Sequence, residues 1–157
     1  MRKDRLFSVS VGLFFLFAIS GNPSFALQAI DSKGNVIFHS GKFSMCGDCF
    51  DLYKLNGKTG AVVWKKTLPE FYFPQSLLLD KKNDIILIGG SDYSFIVKIS
   101  GATGQTVWQA DTSSMFIMDG QMDKNNNILV EAFVEENRYL LKFEAATGRN
   151  LWSQKID

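Results

Sequence analysis

A motif that returns every 44 residues constrains this chain more than any other feature. Leu55-Asn-Gly-Lys-Thr-Gly-Ala-Val-Val-Trp64, Ile99-Ser-Gly-Ala-Thr-Gly-Gln-Thr-Val-Trp108 and Phe143-Glu-Ala-Ala-Thr-Gly-Arg-Asn-Leu-Trp152 align without a gap. The interval is 44 from Thr59 to Thr103 and again from Thr103 to Thr147, and Lys54, Lys98 and Lys142 recur in register. A second motif precedes each copy: Asp31–Phe38, Asp80–Leu87 and Asp123–Val130. Its interval is 49 between the first two copies and 43 between the last two, so the first unit carries an insertion of a few residues. Two motifs in the same order, three times over, mark one supersecondary unit repeated.

Inside a unit, strand and turn signals alternate. In the middle copy, Ser76–Leu79 is a short apolar run closed by Asp80-Lys-Lys-Asn-Asp84. Ile85–Ile88 follows and ends at Gly89-Gly90-Ser91-Asp92; then come Phe95–Ile99, the turn Ser100–Gly104, and Gln105–Gln109. Short β-rich runs separated by Gly, Asn and Asp clusters read as consecutive hairpins. Four antiparallel strands in roughly 40–50 residues make a propeller blade. The fold class is therefore all-β: three four-stranded antiparallel propeller blades, a partial or oligomer-completed β-propeller. They span about 27–67, 68–111 and 112–157. The glycines of the repeat, Gly60, Gly104 and Gly148, suit the positive φ of a tight hairpin. The hydroxyls of Thr59, Thr103 and Thr147 can close that turn on its own backbone. Trp64, Trp108 and Trp152 fall on the outer strand, where a large flat side chain packs one blade on the next and its N–H finds an acceptor. A ligand-stacking role for these tryptophans competes, but regular recurrence fits packing better.

The first residues set the expected compartment. Met1–Arg5 is basic, Leu6–Ser20 is almost wholly apolar, and Gly21-Asn22-Pro23 breaks a helix ahead of Ser24-Phe25-Ala26. This is the pattern of a signal peptide over residues 1–26, cut after Ala26, with residues 27–157 as the repeat domain. The alternative is an uncleaved anchor, but the apolar stretch is short of the roughly 20 residues a spanning helix needs. No membrane span is expected after cleavage, and without a Cys at the cut a lipid anchor is not indicated. The remaining chain carries 14 basic and 15 acidic groups, a balance that argues against a nucleic-acid partner.

Thr-Gly followed by Trp four residues after the Gly, once per blade, resembles the tryptophan-docking repeat of the quinoprotein-type (pyrroloquinoline-quinone repeat) β-propellers. The resemblance covers essentially all of residues 27–157. It implies the propeller fold without implying an activity, because that family holds quinone-dependent dehydrogenases and also non-catalytic scaffolds of outer-membrane protein assembly. Where the family pattern has Ala, this chain has Lys54, Lys98 and Lys142; where it has Asp, there is Asn56, Ser100 and Glu144. Its Lys after the Gly is Ala61, Gln105 and Arg149 here. The cofactor clamp of the dehydrogenases needs a pair of adjacent cysteines, calcium and a catalytic Asp, and this chain has no Cys-Cys pair. No catalytic, cofactor-binding or metal-binding residue is carried over, and no cofactor is expected.

Cys46-Gly-Asp-Cys49 is the one cysteine constellation. In an exported protein the pair reads as a disulfide across a small turn, contributing about 2 kcal/mol. A thiol–disulfide redox site is the sharper alternative, but that chemistry usually sits at a helix N-terminus; a zinc site would need two more ligands. His39, the lone histidine, precedes Ser40-Gly41 and reads as a surface or turn residue at a strand end. Asp31, Asp80 and Asp123 lack the full calcium-loop set and read as caps of hairpin turns. Glu131, Glu135, Glu136 and Glu144 read as a solvated acidic face.

Two apolar segments fall on the connectors between blades: Phe71-Tyr72-Phe73, between two prolines, and Met115-Phe116-Ile117-Met118. They either fill the core or, through Phe71, Tyr72, Phe73, Met115 and Phe116, form a protein-binding surface. Closed propellers have roughly four to eight blades, and three leave sheet edges that invite pairing. The solutions are a homodimer completing a six-bladed ring, a piece of a longer propeller, or strand addition to a protein partner. The expected function is a secreted or periplasmic, non-catalytic, protein-binding scaffold. The competing classes are a fragment or subunit of a quinone-dependent dehydrogenase and a small thiol–disulfide protein using Cys46 and Cys49.

Overall fold

Alternation of β-branched runs with Asp-, Asn- and Gly-containing turns produces twelve strands among the described residues. The computed structural model describes residues 27–41, 50–68, 74–90, 94–110, 112 and 114–156. Blade one holds β1 (Gln28–Ile30), β2 (Val36–Gly41), β3 (Phe50–Leu55) and β4 (Val62–Leu68). Blade two holds β5 (Pro74–Leu79), β6 (Ile85–Gly89), β7 (Phe95–Ile99) and β8 (Thr106–Ala110). Blade three holds β9 (Phe116–Met122), β10 (Asn127–Val134), β11 (Asn137–Glu144) and β12 (Asn150–Lys155). Each blade is an antiparallel meander with its strands paired in sequence order, and no helix occurs among the described residues. The expected all-β architecture of three four-stranded blades is the one observed.

One placement differs from the sequence reading: Met115 lies on the connector, but Phe116–Met118 do not. Phe116, Ile117 and Met118 open β9, where strand alternation buries Ile117 completely and leaves Phe116 and Met118 exposed. The expected signal segment 1–26, Cys46, Cys49, Phe71, Tyr72 and Phe73 lie outside the described residues.

The middle blade explains the shape of the core. Every residue of β6 and β7 is buried, because blade two is covered on both faces. The period of two along a strand then splits β6 between two interfaces. Ile85 and Leu87 face blade one, in a cluster with Ile37, Phe50, Leu52, Leu68, Phe95 and Val97. Ile86 and Ile88 face blade three, in a second cluster with Ile117, Ile128, Val130, Ala132, Leu141 and Phe143. The core is thus a pair of slabs between sheets, and a continuous apolar run is what a strand with two buried faces requires.

The β3–β4 turn repeats its chemistry three times. The amides of Gly60, Gly104 and Gly148 donate to the carbonyls of Asn56, Ser100 and Glu144, each at 2.8 Å. The hydroxyl oxygens of Thr59, Thr103 and Thr147 accept from the amides of Ala61, Gln105 and Arg149, each at 3.3 Å. The three glycines hold φ of 71°, 73° and 76°. A Cβ on Gly104 would fall 3.0 Å from the Trp64 ring, and one on Gly148 would fall 2.7 Å from the Trp108 ring. At Gly60 a Cβ would meet nothing within 4 Å. Alanine at any of the three costs about 1–2 kcal/mol for the left-handed backbone. Gly148→Ala should lose a further 1–3 kcal/mol, roughly, because it overfills the Trp108 contact. Urea unfolding of Gly60→Ala and Gly148→Ala checks the difference.

Candidate functional site

The recurrent polar residues converge on the seams between blades. Asp31, Asp80 and Asp123 each begin the turn between the first two strands of a blade. One carboxylate oxygen accepts two backbone amides: Lys33 and Asn35 at 2.9 Å for Asp31, Lys82 and Asp84 at 2.8 and 2.9 Å for Asp80, and Asn125 and Asn127 at 2.8 Å for Asp123. The other oxygen pairs with the recurrent lysine of the same blade. The distances are 2.8 Å for Lys54–Asp31, 2.7 Å for Lys98–Asp80 and 2.7 Å for Lys142–Asp123. The aspartates are turn caps, as their spacing implied, and each is also one end of an ion pair.

The lysines then reach beyond their own blade. Lys54 Nζ donates to the Gly101 carbonyl of blade two at 2.8 Å, and Trp64 Nε1 donates to the same oxygen at 3.2 Å. Lys98 Nζ and Trp108 Nε1 repeat the arrangement on the Ala145 carbonyl of blade three, at 3.1 and 3.2 Å. One carbonyl therefore takes two donors from the preceding blade, while the Trp ring lies on the Thr-Gly glycine three residues further on. A bulge in each outer hairpin, beside Lys54, Lys98 and Lys142, accompanies this geometry.

The electrostatics follow from burial and pairing. Burial opposes ionisation of Asp31, but the bonds from Lys54, the Asn35 side chain and the Asn35 and Lys33 amides hold its carboxyl well below the usual carboxylate range. Burial likewise opposes the charge on Lys98, which is 4% exposed. The carboxylates of Asp80 and Asp84, the latter at 3.2 Å, outweigh that penalty and raise its pKa. The Lys142 ammonium, then the Asn127 amide, keep Asp123 strongly acidic. These charges are committed to structure.

A further tier crosses the seams at the β1–β2 turns. Asn83, at φ 63°, accepts from the Ser32 amide of blade one and donates to its hydroxyl, both at 2.9 Å. Asn126, at φ 66°, accepts from the Lys81 amide of blade two at 2.8 Å. Gly34 holds the equivalent place in blade one at φ 79°.

Trp152 is 42% exposed, unlike its half-buried counterparts Trp64 and Trp108, which each meet the turn of a following blade. Met115, on the connector, packs partly against the core between blades two and three, and Phe116, in β9, is 45% exposed. His39 is a correction to the sequence reading. It is no surface residue: β2 continues through it to Gly41, it is 3% exposed, and it stacks on Phe50 at 5.2 Å. Among the described residues neither ring nitrogen has a hydrogen-bond partner, and burial pushes its pKa down to about 4. Among the described residues no cluster of three or more His, Cys, Asp or Glu could hold a metal ion.

A family model of PQQ type, described as outer membrane protein assembly factor BamB, matches residues 51–157. The crystal structure of BamB from Moraxella catarrhalis is similar with a TM-score of 0.56 at 18% identity, covering 81% of this chain and 36% of that one. A protein of unknown function from Bacteroides caccae gives a TM-score of 0.54 at 14% identity, covering 86% and 48%. The chain thus spans less than half the length of either solved relative. No curated protein matches it significantly.

Two measurements test the seam. Lys98→Met should cost about 3–5 kcal/mol, because it strands Asp80 in a buried site, whereas Lys142→Met, in a more open pair, should cost about 1 kcal/mol or less. Denaturant unfolding of both reads the contrast. The second concerns His39, whose pKa is about 4 folded against 6.5 for an ordinary histidine. The unfolded chain binds the proton more readily in that window, so stability falls as pH drops from 6.5 towards 4. The loss should approach the order of 3 kcal/mol. His39→Ile, which copies Ile88 of blade two, should flatten the dependence of the unfolding midpoint on pH between 4.5 and 6.5.

Proposed function

Because the chain belongs to the PQQ-type propeller family described as outer membrane protein assembly factor BamB, we propose that it is an exported, non-catalytic propeller scaffold that binds protein partners in the cell envelope. The observation that carries this reading is the use made of the recurrent charged residues. In the described blades the lysines and aspartates of the repeat are spent on turns and seams, which build a rigid platform. Such a platform leaves recognition to loops and exposed faces. Residues 1–26 act as the export signal, and Cys46 and Cys49 form a disulfide in the oxidising compartment. The aromatic run Phe71–Tyr72–Phe73, with Met115 and Phe116, supplies contact area, since aromatic and Met side chains are enriched in the cores of protein interfaces.

The test is made in the cell that produces the protein. A photo-reactive phenylalanine analogue at position 72 should yield a discrete adduct with another envelope protein. Mass spectrometry of the exported fraction should find a chain beginning at Leu27. A chain retained in the cytosol with residues 1–26 attached would overturn the export reading. Quinone- and calcium-dependent oxidation of alcohols by the purified protein would overturn the non-catalytic one.

A further inference from the structure

The two seams inside the chain are built from one plug and one socket, and the outermost faces carry one of each. The plug is the lysine and tryptophan of a blade, and the socket is the carbonyl and glycine of the next Thr-Gly turn. Blade three presents a plug in Lys142, paired with Asp123, and Trp152, directly opposite it in the hairpin register. Blade one presents a socket in the Gly57 carbonyl, at the place of Gly101 and Ala145, and in Gly60 with open space over its α-carbon.

The charged residues of these faces also complement one another. In blade one, Asp51 stands where blade two has the buried Phe95; it is only 7% exposed, pairs with Lys65 at 2.9 Å, and accepts from Thr67 at 2.9 Å and from the Tyr53 hydroxyl at 3.3 Å. In blade three, Arg138 stands where blade one has Phe50, and it pairs with Glu131 at 2.7 Å. Phe50 and Phe95 belong to the one buried cluster between blades one and two. Arg138 is therefore related to Asp51 as Phe50 is to Phe95, and a repeat of the internal seam would bring a base to an acid. The carboxyls of Asp51 and Glu131 both lie below their ordinary values, so both are charged at neutral pH.

We infer that two copies of this chain join head to tail into a six-bladed ring, Lys142 and Trp152 of each docking on the Gly57 carbonyl and Gly60 of the other. Two copies give six blades, within the range of roughly four to eight that closed propellers use, whereas three would give nine. Closure makes two identical seams related by a twofold along the ring axis, as a heterologous contact must if it is to close. The inference deepens the scaffold reading by naming one partner, and it rests on that reading only for the rigid blades. One element of the internal seams is missing: Gly34 has no side chain to reach back as Asn83 and Asn126 do, which makes this seam the weakest of the ring.

Light scattering and sedimentation of the purified chain test it. The expected mass is that of two chains, dissociating on dilution. Trp152→Ala should weaken association about tenfold or more, as loss of a central tryptophan does. The double exchange Glu131→Arg with Arg138→Glu keeps the pair within blade three but opposes like charges across the seam, and it should also dissociate the dimer. Gly34→Asn suits the existing φ and has free space, and it should tighten association about fivefold through one added hydrogen bond. A single-chain mass at every concentration overturns the ring, as does a double mass that none of these variants moves. A single-chain mass beside a position-72 adduct with an envelope protein removes the ring and leaves the scaffold standing. A double mass without that adduct does the reverse.

Discussion

The fold depends on a backbone carbonyl that accepts two donors from the neighbouring blade. A lysine ammonium is costly to desolvate, and an ion pair between buried groups adds little over a well-packed apolar substitute. What the arrangement contributes is direction. Lys98 is held by Asp80 and Asp84 of its own blade, so its remaining hydrogen has one place to go, the Ala145 carbonyl. Trp108 has its N–H on the same oxygen and its ring on Gly148. Two flat sheets with apolar faces can slide over each other; a charge and an indole fixed to one atom set both the distance and the rotation between them.

Around that joint the three blades diverge according to what covers them. Blade two is apolar on both faces and wholly buried through β6 and β7. Blade three keeps its apolar positions towards blade two, with Ile128, Val130 and Ala132 at zero exposure, and places Glu131 and Arg138 on the other side. Blade one puts His39 and Phe50 towards blade two and the Asp51–Lys65 pair away from it. Repeat arrays commonly vary their outermost units in this manner, because a face that meets water or a separable partner is selected on different terms from one sealed inside.

Much of this was legible in the sequence because the governing interactions are local or periodic. The Thr-Gly turn, the Asp-capped turn and the strand alternation each lie within a few residues, and the 44-residue interval exposed the blades. The lysine column was visible, and so was the aspartate column, yet their pairing crosses three strands of a sheet. Two oppositely charged columns recurring in register were the available signal, hidden because Lys54, Lys98 and Lys142 read as departures from an alanine pattern. His39 reads as a strand-end residue because Ser40-Gly41 resembles a turn, whereas pairing with Asp51 and Phe50 extends β2 through both. Phe116–Met118 read as a connector because, with Met115, four apolar residues in a row hide the alternation that β9 imposes.

The joint also decides where such a repeat can change length. Nine residues separate lysine from tryptophan in every copy, and the accepting carbonyl lies between those two positions in the next. The interval between the second and third strands is free to vary instead: eight residues in blade one, five in blade two and two in blade three. A unit whose couplings sit at one set of turns can take new segments at the other without disturbing how it meets its neighbours. Evolution, or an engineer grafting a recognition loop, would find the permissive position between β2 and β3, and the forbidden one between β3 and β4.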